Sequence, residues 1–308
     1  MTKSAVTTFE VWGLSGTLAT QYPQQMRLAE KRLWARITEF DAACNRFRAD
    51  SELSRLNERG GEKVNISATL ERALICALEA RDATEGLCDP SVLPALLALG
   101  YQVDYDELKD RRDVERTSPV PSLGADAVTL DLREHAVTLA PGCRLDLGAS
   151  AKALVADLVA EDVAPTGGVV VELGGDVAVR GHGPDGLWAV GLSDSLHLTG
   201  REPRVGIEHG GIATSSITTR TWRAGGRVVN HVIDPRTGEC ASGPYGSATI
   251  SASSCVIANA FATSALLWGE DAGYHVAQAG WAGRLVRRNG TIDYVGGWPE
   301  DEVVACSP

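Results

Sequence analysis

The sequence predicts an α+β fold made mainly of antiparallel sheets with a few packed helices. Strand-like runs are numerous and short, and tight turns such as Gly174-Gly175 and residues 131–134 separate several of them. Helical patterns are few by comparison. The chain has 33 glycines in 308 residues, above the usual share of roughly 7%, and glycine permits tight turns. Short strands joined by turns, with occasional helices, are typical of an antiparallel α+β architecture.

Four segments carry the pattern of a helix. The first is residues 24–44, where apolar residues recur on one face at helical spacing. Ser67 is placed to cap a second helix, which we expect to stop near Gly86. A third helix should begin around Ser150. The fourth, Cys255–Trp268, is apolar on nearly all sides and is therefore predicted to be buried.

The strand-like runs are short, from three to six residues each. They are residues 8–12, 128–132, 136–139, 169–173, 177–180, 188–190, 228–233 and 248–251. Residues 212–216 are a hydroxyl-rich strand end or loop. Residues 181–186 match G-x-G-x-x-G, but a strand-like run follows where a dinucleotide fold needs a helix. We therefore predict a hairpin loop there.

Composition and charge exclude several classes of protein. Hydrophobic content of 44% and charged content of 22% are ordinary for a globular chain and exclude extended disorder. The formal net charge is −11, so the surface should repel phosphate backbones and anionic lipid. No run approaches the ~20 apolar residues of a membrane helix. We expect neither nucleic-acid nor membrane partners, although local dipoles can still bind one small anion.

Cysteine usage and the N-terminal residues bear on the compartment. The seven cysteines are odd in number and scattered, and none forms a C-x-x-C pair. This argues against a disulfide framework and against a cysteine zinc site. The first residues contain no apolar stretch of the kind that export signals carry. We therefore expect a cytoplasmic location.

Residues 145–152 lead from a strand end through Gly148 into a helix start. Free backbone N–H groups and the helix dipole favour an anion at such a point, and Lys152 adds a positive charge in the first turn. A plain strand–helix junction, with Asp146 as a local cap, explains the pattern equally well.

Asn259 and Thr263 lie four residues apart in the fourth helix and so share one face. Side-chain oxygens in an apolar helix need partners, since leaving each bare costs about 1–3 kcal/mol. They can bond to backbone carbonyls, or they can hold a hard cation that takes its other ligands from water and substrate phosphate.

His231 lies at a predicted strand end, before the turn-forming run Asp234-Pro235-Arg236-Thr237-Gly238. Strand alternation directs His231 and Ile233 to one face. A histidine near its ordinary pKa of ~6.5 can take a proton from an attacking hydroxyl at neutral pH. The alternative is a structural histidine bonded to the turn.

Seven segments together resemble the ApbE family, FAD:protein FMN transferases. The family pattern reads S-R-F-x-x-x-S-E-L-S-R-L-N, D-P-T, D-L-G-x-x-A-K-G, G-G-D, A-T-S, H-x-I-D-P-R-T-G and D-A-x-x-T. The matching segments here are residues 45–57, 89–91, 146–153, 174–176, 213–215, 231–238 and 259–263. Each match is weak alone, but seven in register are specific.

The resemblance implies an ApbE-like fold over residues 1–308 as one catalytic unit, with a candidate internal division near residues 125–145. It implies cleavage of FAD and transfer of FMN to a threonine hydroxyl of an acceptor flavoprotein through a phosphoester bond. AMP is released, with help from Mg²⁺ or another divalent cation. His231 would be the base, and the metal ligands would be Asn259, Thr263 and the backbone carbonyl of Ala149. Flavin or adenine contacts would come from Trp12, Phe47, Cys88, Asp89, Asp146, Lys152 and Ile233.

The sequence departs from the family pattern at the metal site. The family's aspartate is Asn259 here, and neutral oxygen ligands bind Mg²⁺ more weakly than a carboxylate. Ala153 replaces a glycine inside a helix, and Ser91 replaces a threonine but keeps the hydroxyl. Two alternatives therefore stay open. One is a protein that binds FAD without transferring its FMN, and the other is an FAD pyrophosphatase in which water replaces the acceptor hydroxyl.

Overall fold

The fold is described by a computed structural model that covers residues 4–193 and 202–301. Within those ranges eight α-helices form. They are α1 (Met26–Cys44), α2 (Glu52–Asn57), α3 (Ala68–Ala83), α4 (Leu93–Ala98), α5 (Tyr105–Leu108), α6 (Ala151–Val163), α7 (Cys255–Trp268) and α8 (Ala272–Gln278). None of the helices in the described ranges is both long and apolar enough to cross a bilayer.

The strands of the same ranges pair antiparallel throughout. They are β1 (Ala5–Val11), β2 (Leu14–Thr20), β3 (Lys63–Asn65), β4 (Val128–Asp131), β5 (Ala136–Leu139), β6 (Val169–Leu173), β7 (Asp176–Arg180), β8 (Trp188–Gly191), β9 (Arg204–Ile207), β10 (Gly210–Ser216), β11 (Thr221–Ala224), β12 (Arg227–Asn230), β13 (Tyr245–Ala252), β14 (Ala282–Arg287) and β15 (Ile292–Val295). An eight-stranded sheet has the order β1-β2-β6-β7-β10-β13-β14-β15. Three small sheets, β3-β5-β4, β8-β9 and β11-β12, accompany it. The predicted antiparallel α+β class is confirmed.

Helices α6 and α7 pack against the middle of the large sheet. Apolar residues of both helices join one buried cluster with β6, α1 and α3. Close approach of α7 depends on Gly211 in β10, because a Cβ there would lie 2.3 Å from the backbone of Cys255. The N-terminus of α7 is also held from α6: Asp157 accepts hydrogen bonds from the backbone N–H groups of Cys255 and Val256, each at 3.1 Å. The two helices and the sheet are therefore packed together as one unit.

A second packing unit forms beside this layer. The β11-β12 hairpin and the segment around α4 share a separate buried cluster, which includes Leu96, Leu99, Trp222 and Val229. The indole N–H of Trp222 donates to the carbonyl of Leu99 at 2.8 Å. The hairpin is thereby fixed to α4 rather than to the large sheet.

The four predicted helices are confirmed. The first begins two residues later than expected, after a single 3-10 turn at Pro23–Gln25. Ser67 accepts a hydrogen bond from the N–H of Leu70, as a capping residue does. The helix after Ser150 starts at Ala151, and the last one has the predicted bounds.

One of two strand-level predictions is confirmed and the other was wrong. Gly183 and Gly186 form an antiparallel bridge with reciprocal backbone hydrogen bonds of 2.6 and 3.3 Å, so residues 181–186 contain the predicted hairpin turn and no dinucleotide-binding helix. This turn lies on the connection between two sheets, because β7 before it pairs with β6 and β10 whereas β8 after it pairs with β9. The strand expected over residues 228–233 ends at Asn230, whose side chain bonds to the N–H of Val232 and the carbonyl of Ala241. His231 therefore follows the strand.

Candidate active site

One cavity has a volume of about 540 Å³. It is lined by the start of α6, one face of α7, the segment after β12 and residues 45–47 and 87–90. All eleven residues proposed from the sequence line it. They are Trp12, Phe47, Cys88, Asp89, Asp146, Ala149, Lys152, His231, Ile233, Asn259 and Thr263. Segments separated by more than 200 residues in the chain thus meet around one space.

Asp146 lies on the loop between the small β3-β5-β4 sheet and α6. One of its carboxylate oxygens accepts from the N–H of Gly148 at 2.6 Å, and the other forms an ion pair with Arg46. The guanidinium of Arg46 lies over the rings of Phe47 and Tyr101, at 3.9 and 4.6 Å from their centroids. Asp146 does cap a local turn, but it does not cap α6. Arg46, which sequence reasoning left without a role, holds it in place.

Asp176 forms the centre of a hydrogen-bonded chain behind the cavity. Lys152 Nζ lies 2.7 Å from one carboxylate oxygen, and Asn259 Nδ2 donates to the other at 2.6 Å. The residue is 1% exposed. It follows the β6–β7 turn, whose Gly174 and Gly175 take positive φ values that favour glycine. The G-G-D pattern in the sequence was the signal for this role, although Asp176 was not proposed as a site residue.

The same chain orients the oxygens of α7. An ionised carboxylate only accepts hydrogen bonds, so the Asn259 amide nitrogen faces Asp176 and its oxygen faces the other way. That oxygen lies 3.5 Å from Thr263 Oγ1, which in turn lies 2.9 Å from the hydroxyl of Ser215. The predicted sharing of one helix face is confirmed. The two oxygens converge, as ligands of one ion must.

The oxygen atoms around Asn259 fit a hard cation. The amide, hydroxyl and backbone carbonyl oxygens of Asn259, Thr263 and Ala149 are the donor type that Mg²⁺ takes in proteins. None of the three carries a formal charge. In the described part of the chain there is no group of three His, Cys, Asp or Glu residues that could hold a metal. A cation here would therefore depend on phosphate oxygens for negative charge.

Asp89 and Cys88 form one wall of the cavity. One Asp89 oxygen accepts from the N–H and hydroxyl of Ser91 at 2.8 Å, and the other accepts from Ser122 at 2.5 Å. These bonds fix the turn that Pro90 begins. Burial raises the pKa of the Cys88 thiol to about 12, so this sulfur is an uncharged contact surface at neutral pH.

Two aromatic rings face the cavity from different elements. Trp12 has a φ of 53° in the β1–β2 turn, and its indole N–H donates to Asp41 at 2.9 Å. Phe47 follows Arg46 and is 38% exposed. Flat apolar faces at these positions can stack on a planar ring.

Nδ1 of His231 is buried and has no hydrogen-bond partner among the described residues. Burial, together with the positive charges of Arg220 and Lys152, lowers the pKa of His231 to about 3. The imidazole is therefore neutral throughout the physiological range. Val232 and Ile233, next in the chain, pack into two different buried clusters, which fixes the backbone that carries the ring. A neutral imidazole with an unpaired nitrogen can accept a proton.

Structures of known proteins share this fold. The ApbE protein of Thermotoga maritima superposes with a TM-score of 0.79 at 21% sequence identity, covering 95% of this chain and 97% of that one. The flavin transferase ApbE of Vibrio cholerae superposes with a TM-score of 0.76 at 21% identity, covering 97% of this chain and 99% of that one. The architecture is therefore that of ApbE-type proteins.

Sequence comparison gives the family. The model of the ApbE family matches residues 7–284, and the chain belongs to that family. The FAD:protein FMN transferase of Haemophilus influenzae is 27% identical over 252 residues, which cover 79% of this chain and 73% of the relative. The FAD:protein FMN transferase of Vibrio cholerae is 28% identical over 274 residues, which cover 85% and 81% respectively.

Proposed function

We propose that this chain transfers FMN from FAD to a threonine hydroxyl of an acceptor flavoprotein, forming a phosphoester bond and releasing AMP. The names of the relatives support flavin transfer. The observation that carries the proposal is the convergence on one cavity of a neutral His231 whose Nδ1 has no partner in the described structure, a lysine at a helix start and two oxygens of α7.

The phosphates of FAD would lie against the start of α6. Ser150, at the N-cap position, makes no capping hydrogen bond with its side chain, so that side chain does not occupy the N–H groups of the first turn. The dipole of α6 and the charge of Lys152 both favour an anion at this point. Lys152 stays oriented because Asp176 holds its ammonium group. The planar flavin or adenine would lie against Trp12 and Phe47.

Residues around the phosphates can also hold Mg²⁺. Asn259, Thr263 and the carbonyl of Ala149 would be its protein ligands, and the bound ion would neutralise negative charge on the phosphates.

His231 would act on the acceptor. Its neutral imidazole takes the proton of the threonine hydroxyl as the oxygen attacks the FMN-side phosphorus. The phosphorus–oxygen bond to AMP then breaks, and its electron pair leaves on the AMP phosphate. A pKa of about 3 makes the free-protein imidazole a weak base. Because bound phosphates offset the charges of Lys152 and Arg220, they raise this pKa and increase the basicity of His231.

The test uses the purified protein with FAD, with and without Mg²⁺, and a short acceptor protein that carries a threonine motif of the family type. Intact mass and free AMP are recorded. We expect the acceptor to gain the mass of FMN while AMP appears in equal amount. AMP without a modified acceptor would identify a pyrophosphatase. Bound FAD that stays intact under every divalent cation would overturn the transferase proposal and identify a binding protein.

A further inference from the structure

Arg220 differs from the other cations that line the cavity. Among the described residues, Arg46 is paired with Asp146, Lys109 with Asp106 and Lys152 with Asp176. All three of these cations line the same cavity as Arg220. Arg220 forms no ion pair and no side-chain hydrogen bond with any residue of the described ranges. In the described structure its guanidinium carbon lies 5.8 Å from the centroid of the Tyr105 ring.

The backbone on both sides of Arg220 is nevertheless fixed. The hydroxyl of Tyr105 lies 3.3 Å from the carbonyl oxygens of Thr219 and Thr221, and it accepts from the N–H of Thr221 at 3.2 Å. Earlier in the same loop, Ser216 accepts from the N–H of Thr218 at 3.1 Å. The loop between β10 and β11 therefore holds its shape without help from the guanidinium, whose donors stay available.

The free charge lies beside the proposed base. After burial, Arg220 is the largest cause of the lowered pKa of His231, ahead of Lys152. It also acts to lower the pKa of Tyr101, which burial raises overall. The whole chain carries a net charge of −11, so acidic partners for an arginine are plentiful elsewhere on it. The guanidinium of Arg220 therefore faces the cavity beside a buried, neutral histidine and has no anionic partner in the described structure.

We propose that Arg220 binds a phosphoryl oxygen of the dinucleotide on the His231 side of the cavity. This inference rests on the proposed function and adds a second cation to the phosphate site. Lys152 contacts the phosphates from the start of α6, and Arg220 contacts them from the β10–β11 loop. The fork of N–H donors on a guanidinium matches two oxygens of one phosphoryl group. Arg220 would therefore stabilise the charge on the group that the acceptor hydroxyl attacks.

The test replaces Arg220 with Gln and compares ligands that differ in phosphate. Flavin fluorescence gives Kd for FAD and for riboflavin, which has the same ring system without phosphate. A hydrogen bond to a charged group contributes enough for Arg220→Gln to weaken FAD binding by about 10- to 100-fold. Riboflavin binding should change by less than about 2-fold. The FMN transfer rate should fall at least as much as FAD affinity, since charge grows during the reaction.

Arg223 offers a matched control. It lies on β11, three residues after Arg220, is exposed, does not line the cavity and donates to the carbonyl of Gly226 at 3.0 Å. Arg223→Gln removes the same charge from a position three residues further along the chain and should leave FAD binding unchanged. Tyr105→Phe keeps the guanidinium but removes the hydroxyl that fixes its loop, so it should give a smaller loss in the same direction as Arg220→Gln.

A separate experiment with inorganic pyrophosphate tests the role of Arg220 independently of FMN transfer. Inorganic pyrophosphate should raise the unfolding temperature of the natural protein and of Arg223→Gln, but not of Arg220→Gln. If the natural protein fails to bind FAD while this pattern holds, the transferase proposal falls and Arg220 still marks an anion site. Equal losses of FAD and riboflavin affinity in Arg220→Gln would overturn the phosphate role. The phosphate role would also be overturned if Arg220→Gln matched the natural protein in FAD affinity, in its response to pyrophosphate and in its transfer rate.

Discussion

Replacing Asn259 with Asp tests how the centre of the site is held together. The amide of Asn259 donates to Asp176 at 2.6 Å, and the two residues are 6% and 1% exposed. The substitution removes that donor and places a second carboxylate oxygen against the first. Without a cation, two buried negative charges would face each other, with Lys152 as their one near counter-charge in the described structure. The variant should be less stable than the natural protein.

The size of the effect follows from two contributions. Loss of a hydrogen bond to a charged group costs about 1.5–3 kcal/mol. Two unit charges 4 Å apart repel each other by about 4 kcal/mol at an effective dielectric constant of 20. Lys152 Nζ, 2.7 Å from Asp176, offsets part of the repulsion. A net loss of about 3–5 kcal/mol in the free energy of unfolding corresponds to a fall in Tm on the order of 10 °C.

Calorimetric unfolding in EDTA and in millimolar Mg²⁺ measures the effect. The new carboxylate lies next to Thr263 Oγ1 and supplies the charged ligand that the natural set lacks, so Mg²⁺ should raise the Tm of Asn259→Asp more than that of the natural protein. Asn57→Asp is the control, because Asn57 is a buried amide that exchanges hydrogen bonds with the backbone of Leu145 and does not line the cavity. It should destabilise without recovery in Mg²⁺. An Asn259→Asp protein that unfolds in EDTA at the natural temperature, or gains nothing from Mg²⁺, would refute the reasoning.

Three further predictions concern the base, the phosphate site and the support of α7. His231→Gln should lower FMN transfer by about 10²–10⁴-fold, with FAD affinity within about 3-fold in a binding titration. Because the unfolded chain takes up a proton near pH 6.5 that folded His231 rejects until about pH 3, the natural protein should lose stability as pH falls through this window. The free energy of unfolding, measured by urea titration at each pH, should fall less for His231→Gln over this window than for the natural protein. Lys152→Ala should weaken FAD binding more than riboflavin binding, and equal losses would contradict its contact with phosphate. Asp157→Ala removes the acceptor for Cys255 and Val256 and the partner of Arg180, so unfolding in urea should show a loss of about 3–5 kcal/mol. Wild-type stability in that variant would show that α7 does not depend on Asp157.

The parts of the fold with strong periodicity could be predicted from the sequence. Helix α7 could be predicted to its bounds because its apolar run is long and uninterrupted, and the shared face of Asn259 and Thr263 followed from helix geometry alone. Strand β10 could not be identified securely. It begins with two glycines and ends with hydroxyl residues, a composition typical of loops. It is a central strand because β7 and β13 pair with it and because α7 packs closely on Gly211.

The candidate site shows the same division. The order of the motifs was enough to select eleven residues that all line one cavity. The roles of Asp176 and Arg220 depend instead on which charged groups lie near them in the folded chain. Asp176 matters because Lys152 and Asn259 take up both of its oxygens. Arg220 stands out because the described structure offers it no acid. Sequence patterns carry residue type and spacing, but they do not record which charges are left unpaired after folding.

The separate packing of the β11-β12 hairpin has a consequence for how the protein tolerates mutation. The hairpin leads directly into His231 and is joined to α4 by its own apolar cluster, while Lys152 and Asn259 belong to the layer of α6, α7 and the large sheet. Small volume changes at Trp222 or Leu99 should shift His231 relative to Lys152 and Asn259 without disturbing the part of the phosphate site that α6 and α7 form. In a deep mutational scan, variants that retain the dinucleotide but turn over slowly should therefore cluster in this hairpin and α4. Variants that lose the dinucleotide should cluster in α6 and the β6–β7 turn.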